Sequence, residues 1–288
     1  MPFVAQEERR RQTGLKTLIV SGLLLASSGL ALLAIRPGLD LASAALFFTD
    51  HDDFGSNRSK IMNVIDSNNL ERDFSEKPAS TFSHPALAPG HFIGATPEMR
   101  VFRAFASLLP FLIYGGVILL YLAGLARVVP KHLTLSHRSV IFLSLSLALG
   151  PGLLVNEVFK AHFHRPRPVH VQSFGGASAF RPFYRADGDC VKNCSFPSGE
   201  TAASFWTMAP AALAPPPLRG VALAAAILFG AATGASRMAV GAHFLSDVLF
   251  SGLAMGLTTI GVWYATRRRS LPHVTEAKTG LQEDPAPL

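Results

Sequence analysis

An all-α, polytopic membrane protein with six transmembrane helices is the fold class this sequence predicts, on three observations. The chain is 49% hydrophobic and only 16% charged, against roughly 25% charged residues in soluble domains. Its apolar residues fall into runs about as long as a bilayer core is thick. Its basic residues cluster at the ends of those runs, as they do when lysine and arginine fix membrane orientation.

Residues 1–14 are polar, carry Arg9, Arg10 and Arg11, and form a cytoplasmic N-terminal segment. The run Leu18 to Ile35 is too long for a signal-peptide core and reaches Arg36-Pro37 without a small-residue cleavage pattern, so it reads as an uncleaved anchor. It opens a membrane domain over 15–265. Residues 36–103 form a large external loop with a weak helical pattern near Ser59 to Leu70 and prolines at 78, 85 and 89. His51, Asp52 and Asp53 are metal-ligand types, but a solvated turn accounts for them better.

Ala104 to Leu125 is the second run, and Arg127, Lys131 and Arg138 place the connection after it inside. Val140 to Val155 leads outward through a kink at Pro151, into an external loop over 156–198. Thr201 to Ala214, short for a span, ends at Pro215-Pro216-Pro217 on the inside. Val221 to Ala235 returns outward, and His243 to Ala265 goes inward to Arg267-Arg268-Arg269. A polar cytoplasmic tail covers 266–288, disordered over its last residues from Ser270. The formal net charge of +7 fits this orientation and an anionic ligand. Nucleic acid is excluded as a partner, because no long basic stripe interleaves with aromatics.

Three polar motifs emerge on the one external face. The first is Lys160-Ala-His-Phe-His-Arg-Pro-Arg167-Pro168, the second Phe196-Pro-Ser198-Gly199-Glu200, and the third Ser236-Arg237 followed by His243 and Asp247. Lys160, Arg167 and Arg237 supply the cations that a phosphate of charge near −1.5 to −2 requires. A basic residue at a helix end also serves as an interfacial anchor under the headgroups, a reading as good as the other for Lys160 alone and outweighed for the three taken together with His243. Ser198 stands where its side chain can cap a helix while the following N–H groups face an anion, with Gly199 permitting close approach. His243 and Asp247 share one helical face, so the carboxylate can hold one imidazole nitrogen and leave the other free to attack phosphorus. Cys190 and Cys194 are too few for a disulfide scaffold or a zinc site; a local disulfide and a reduced pair both stay open.

This pattern resembles the type 2 phosphatidic acid phosphatase superfamily, whose signature reads K-x6-R-P, P-S-G-H and S-R-x5-H-x3-D. The resemblance implies a metal-independent phosphatase without cofactors, built on six membrane helices. It also implies that Lys160, Arg167, Ser198, Gly199 and Arg237 bind phosphate, that His243 is the nucleophile and that Asp247 orients it. The departure is Glu200, which stands where the family has the histidine that protonates the leaving group. Glu200 is expected to act as general acid, or as base for the hydrolytic water, with His162, His164 and His170 as substitutes. The Asn193-Cys194-Ser195-Phe196 approach and the large first external loop are most similar to lipid A phosphatases of bacterial inner membranes. The implied partners are therefore a membrane lipid phosphate and the bilayer, with the active site facing the periplasm. Undecaprenyl diphosphate, phosphatidylglycerol phosphate, phosphotransfer to an alcohol, and non-catalytic lipid binding or transport are the alternatives.

Overall fold

The computed structural model describes residues 20–49, 91–94 and 96–267. The segment 1–14 expected in the cytoplasm, the His51-Asp52-Asp53 cluster, the Ser59 to Leu70 pattern and the tail beyond Arg267 lie outside the described residues. Among the described residues the architecture is helical apart from a two-residue antiparallel pairing of β1 (Phe48–Thr49) with β2 (His91–Phe92) and an isolated bridge between Val171 and Ser178. Among the described residues, four helices are long and apolar enough to cross a membrane, and a fifth span results if a helix pair bent by 107° is counted as one.

That bent pair is α1 (Val20–Ile35) with α2 (Gly38–Ala45), broken at the Arg36-Pro37 step. Helix α3 (Pro97–Leu125) starts before the apolar run at Ala104. Thr96 accepts a hydrogen bond from Met99 N at 3.3 Å, and Pro97 follows at the first helical position, where its missing N–H costs nothing. Helix α4 (His137–Leu147) continues as a π-helix over Ala148–Phe159 and a last α-turn over Lys160–His162. Pro151 removes one backbone donor within the wide-wound stretch. The Asn156 side chain donates to the Pro151 carbonyl at 2.7 Å.

The segment expected to form a short span is two pieces, α5 (Gly199–Phe205) and α6 (Met208–Ala212). Two further helices are α7 (Pro216–Ala239) and α8 (Leu245–Arg267). Despite its length, α5 is central: it packs against α7, α8, α3 and the π-segment. Its buried Phe205, with the adjoining Trp206, joins Phe142, Leu143, Val155, Met255 and Val262 in one core. Trp206 Nε1 donates to Ser146 Oγ at 3.0 Å, which satisfies an indole buried among apolar groups.

A second core lies beyond the helix ends. Leu41, Ala44, Phe48, Phe92, Val171, Phe174, Phe180 and Phe244 pack α2 and the β-pair onto the loops after α4 and the start of α8. Phe92 sits against Gly241, which has a φ of 64° and would place any Cβ against the Phe92 ring. These loops carry the polar motifs, so the aromatic cluster fixes their positions.

Candidate active site

Asp247 is the third residue of α8, and Phe244 N donates to its Oδ2 at 2.9 Å. An acidic side chain there closes the helix start and lies favourably in the helix dipole. The same Oδ2 accepts from Ser195 Oγ at 2.5 Å, and Oδ1 accepts from Arg165 Nη1 at 2.5 Å. Asp247 is fully buried, and this set of donors holds it as a carboxylate.

His243 precedes α8 and is 3% exposed. Its Nδ1 lies 2.6 Å from the Ser195 carbonyl and 3.5 Å from Asp247 Oδ2. A carbonyl only accepts, so Nδ1 carries the hydrogen and Nε2 keeps its lone pair. The expectation that Asp247 is the imidazole's direct acceptor therefore needs correction. Ser195 takes the short hydrogen bond, and Asp247 acts from the longer distance. Burial holds the imidazole below its ordinary range, and the Arg237 and Arg167 charges push the same way, against the pull of Asp247.

Arg237, near the end of α7, is 5% exposed and points its Nε toward Glu200 Oε2 at 3.5 Å. That separation allows Coulomb attraction, but the buried Nε makes no hydrogen bond. Such a donor calls for an acceptor. Arg167 is half-buried and anchored by its Nε on the Asn193 carbonyl at 2.9 Å. Lys160 ends the long α4 unit, half-buried, within electrostatic reach of Arg167, Glu200, Arg237 and Asp247.

Ser198 occupies the N-cap position of α5, but its hydroxyl makes no capping bond. It pairs with Thr201 Oγ1 at 2.6 Å, while its backbone N–H donates to Ser251 Oγ at 3.1 Å. The capping expectation is thus replaced by a tie between α5 and α8. At Gly199 an added Cβ would lie 2.9 Å from Asn156 Oδ1. Gly199→Ala is expected to cost about 1–3 kcal/mol through overpacking, read as a lower thermal midpoint in detergent.

Glu200 meets a partner that the sequence did not suggest. Arg103 of α3 donates its Nε to Oε2 at 3.0 Å and its Nη2 to Oε1 at 2.7 Å. With Arg237 on its other side, Glu200 stands as a doubly ion-paired carboxylate. The substitute histidines face elsewhere: His162 Nδ1 meets the Val158 carbonyl at 2.5 Å, and His164 Nδ1 meets the Cys190 carbonyl at 3.0 Å. His170 lies exposed in a short 3-10 turn. Cys190 and Cys194 are joined as a disulfide just before this motif.

Two further residues were not legible as site residues. Arg165 and Asp40 are buried behind Asp247, paired at 2.7 Å through Arg165 Nη2 and Asp40 Oδ2. The guanidinium also lies 4.1 Å from the centre of the Phe244 ring.

Membrane-length helices, with a buried imidazole just before the start of one and the Arg237 and Arg167 charges acting on it, define a site suited to anion chemistry. The comparisons with known proteins narrow this. Residues 140–271 match the family model for the PAP2 superfamily. A lipid A 4'-phosphatase of Francisella tularensis subsp. novicida is 36% identical over 166 residues, 57% of this chain and 74% of that one. A lipid A 4'-phosphatase of Rhizobium leguminosarum is 42% identical over 109 residues, 38% of this chain and 47% of its own. One of Rhizobium etli is 41% identical over 109 residues, covering 38% and 42%. The chain therefore spans about three quarters of the Francisella relative and less than half of the rhizobial ones. No solved structure matches. This chain belongs to the PAP2 superfamily.

Proposed function

We propose that this protein is a membrane lipid phosphatase that removes the 4'-phosphate of lipid A through a phosphohistidine intermediate. The observation that carries the chemistry is the pairing of His243, whose Nδ1–H is committed to the Ser195 carbonyl, with the unsatisfied Nε of Arg237. One is an imidazole oriented to attack; the other is a buried donor without an acceptor. The lipid substrate is supported by the helices of membrane length and by the three relatives named above.

In this reading Lys160, Arg167 and Arg237 hold the phosphate oxygens and Gly199 lines the approach, whereas Ser198, expected to bind phosphate, is fully buried with its hydroxyl on Thr201 and its N–H on Ser251 and supports the turn from behind. His243 Nε2 bonds to phosphorus as the P–O bond to the sugar breaks. The leaving oxygen takes a proton from the solvent side. Water then breaks the P–N bond, Glu200 accepts its proton, and inorganic phosphate departs. An ionised, ion-paired carboxylate is suited to accept a proton rather than to donate one, which favours the base role for Glu200 over the acid role.

The topology that goes with this has six spans, α5 and α6 forming the short one, with both termini inside and the site in the periplasm. The Cys190–Cys194 disulfide supports an oxidising side for the loop. After reduction, a membrane-impermeant thiol reagent should label these cysteines in intact spheroplasts; labelling only after lysis would reverse the orientation.

The functional test is purified protein incubated with lipid A, undecaprenyl diphosphate and phosphatidylglycerol phosphate, followed by mass spectrometry. Loss of one phosphate from lipid A at the 4' position is expected. Turnover of another lipid alone would reassign the substrate, transfer to an added alcohol would make it a phosphotransferase, and no turnover would leave a binding protein. The buried imidazole also sets a pH dependence. Its lowered proton affinity keeps it unprotonated below its ordinary value. The acid limb of kcat/KM, corrected for the substrate phosphate's ionisation near about 6, is therefore expected below about pH 6.5.

A further inference from the structure

The carboxylate of Asp40 comes from α2, outside residues 140–271 that match the family model. It nevertheless ends inside the catalytic layer. Asp40 Oδ1 accepts from Ser246 N at 2.9 Å, and Oδ2 accepts from Arg165 Nη2 at 2.7 Å and from Ser246 Oγ. All these partners donate, as an ionised carboxylate requires. Arg165 is 0% exposed at its side chain. It divides its guanidinium between Asp40 and Asp247, and gives further bonds to Ser246 Oγ at 2.8 Å and the Arg181 carbonyl at 2.8 Å.

The charges in this cluster decide what it does. Were Arg165 paired with Asp247 alone, the two would cancel and His243 would face a neutral pair. Asp40 takes up the guanidinium's charge, so Asp40, Arg165 and Asp247 together carry one net negative charge. That charge is balanced when His243 turns cationic, which happens as its neutral ring bonds to phosphorus while keeping Nδ1–H. Groups fixed in place for a charge that develops only during reaction lower the barrier without helping to bind substrate. Ser246, next to Asp247 in α8, locks the geometry by donating to Asp40 and accepting from Arg165.

We propose that Asp40 and Arg165 are positioning residues of the phosphatase reaction, with Asp40 preserving the negative charge of Asp247 for His243. The α2 segment is thereby a fixed wall of the active site, held by Phe48, Phe92, Phe174 and Phe244 of the aromatic core. This rests on the phosphohistidine reading above. The charged groups acting on His243 are Asp247, Arg237, Arg167 and Glu200, with Lys160 acting on Asp247 and with Arg165 and Asp40 behind it. Only the last pair is altered in the test.

Full-length protein in detergent is assayed on lipid A with three controls: wild type, His243→Ala, and the thermal midpoint of each variant. Asp40→Asn is expected to lower kcat about 10- to 100-fold with KM changed less than about twofold. Its acid limb should move to lower pH by about half a unit or more, because removing a negative charge disfavours the imidazolium. Asp40→Asn together with Arg165→Met restores the net charge and is expected to recover part of kcat. Wild-type kcat in Asp40→Asn, or a fall in kcat with an unmoved acid limb, overturns the proposal. If Asp40→Asn fails to accumulate, Asp40→Ser, which removes the same charge and leaves a hydroxyl for Arg165 and Ser246, is read in the same way, and an unmoved limb there overturns it too. Absent turnover by wild type, or an active His243→Ala, overturns the phosphohistidine reading itself and this inference with it.

Discussion

His243→Ala is expected to lose phosphate release by at least about 10⁴-fold, the scale on which a covalent nucleophile acts. Its affinity for the lipid phosphate stays within a few-fold of wild type. The reason is a division of labour visible in the geometry. The cations proposed to grip the phosphate sit on other elements: Lys160 at the end of the α4 unit, Arg167 in the loop after it and Arg237 on α7. None of them uses the imidazole as an anchor; Arg167 hangs on the Asn193 carbonyl. Removing the ring also leaves the Ser195 carbonyl without the donor 2.6 Å away. A stability loss of about 1–3 kcal/mol is expected from that buried acceptor, so activity must be compared where the variant is folded. Rapid acid-free quenching with labelled substrate should show protein-bound phosphate in wild type and none in His243→Ala. Retained turnover would assign the nucleophile elsewhere.

What could be read from the sequence follows from what each residue must do locally. The long spans are legible because a bilayer-length apolar run has few other uses, and α3, α7 and α8 sit close to where hydropathy puts them. The start of α3 was also available, in Thr96-Pro97 at the helix N-terminus. Hydropathy begins the span at Ala104 instead, which leaves Arg103 looking like an interfacial anchor when it is the partner of Glu200. The pieces α5 and α6 resist reading because their place is set by packing against several helices, not by their own length. Asp40 is invisible for a different reason. An aspartate between leucines in a short helix reads as a solvated group at a membrane surface, and its partner lies 125 residues away. In Arg165-Pro166-Arg167 the sequence presents two arginines with the same local context. Only the fold separates the one buried on Asp40 and Asp247 from the half-buried one held by the Asn193 carbonyl.

Glu200→Gln is expected to trap the enzyme as phosphohistidine. In the resting protein the carboxylate is gripped by Arg103 at 2.7 Å and faces Arg237 at 3.5 Å, so its single negative charge is shared between two cations. On the proposed mechanism, substrate phosphate competes for Arg237 and frees that side of Glu200, while Arg103 keeps the carboxylate tethered. Formation of the phosphoenzyme needs the nucleophile and the cations, and glutamine leaves both intact. Hydrolysis needs a proton acceptor for water, and an amide cannot serve. Loss of a general base is worth about 10²–10⁴ in rate, so steady-state kcat should fall by that factor while the burst of the first turnover persists. The leaving group separates the two roles. If Glu200 were instead the general acid, Glu200→Gln would slow the burst with a sugar phosphate and spare it with p-nitrophenyl phosphate, whose leaving group needs no proton. The base role requires an unslowed burst with both substrates and slow decay of the labelled protein. Arg103→Gln supplies the complementary case. It frees one side of Glu200 without touching the carboxylate, so the burst should again survive and the decay should slow less than in Glu200→Gln. Full steady-state activity in Glu200→Gln would remove the residue from the mechanism and leave it as the counter-ion that keeps Arg103 and Arg237 apart before substrate arrives.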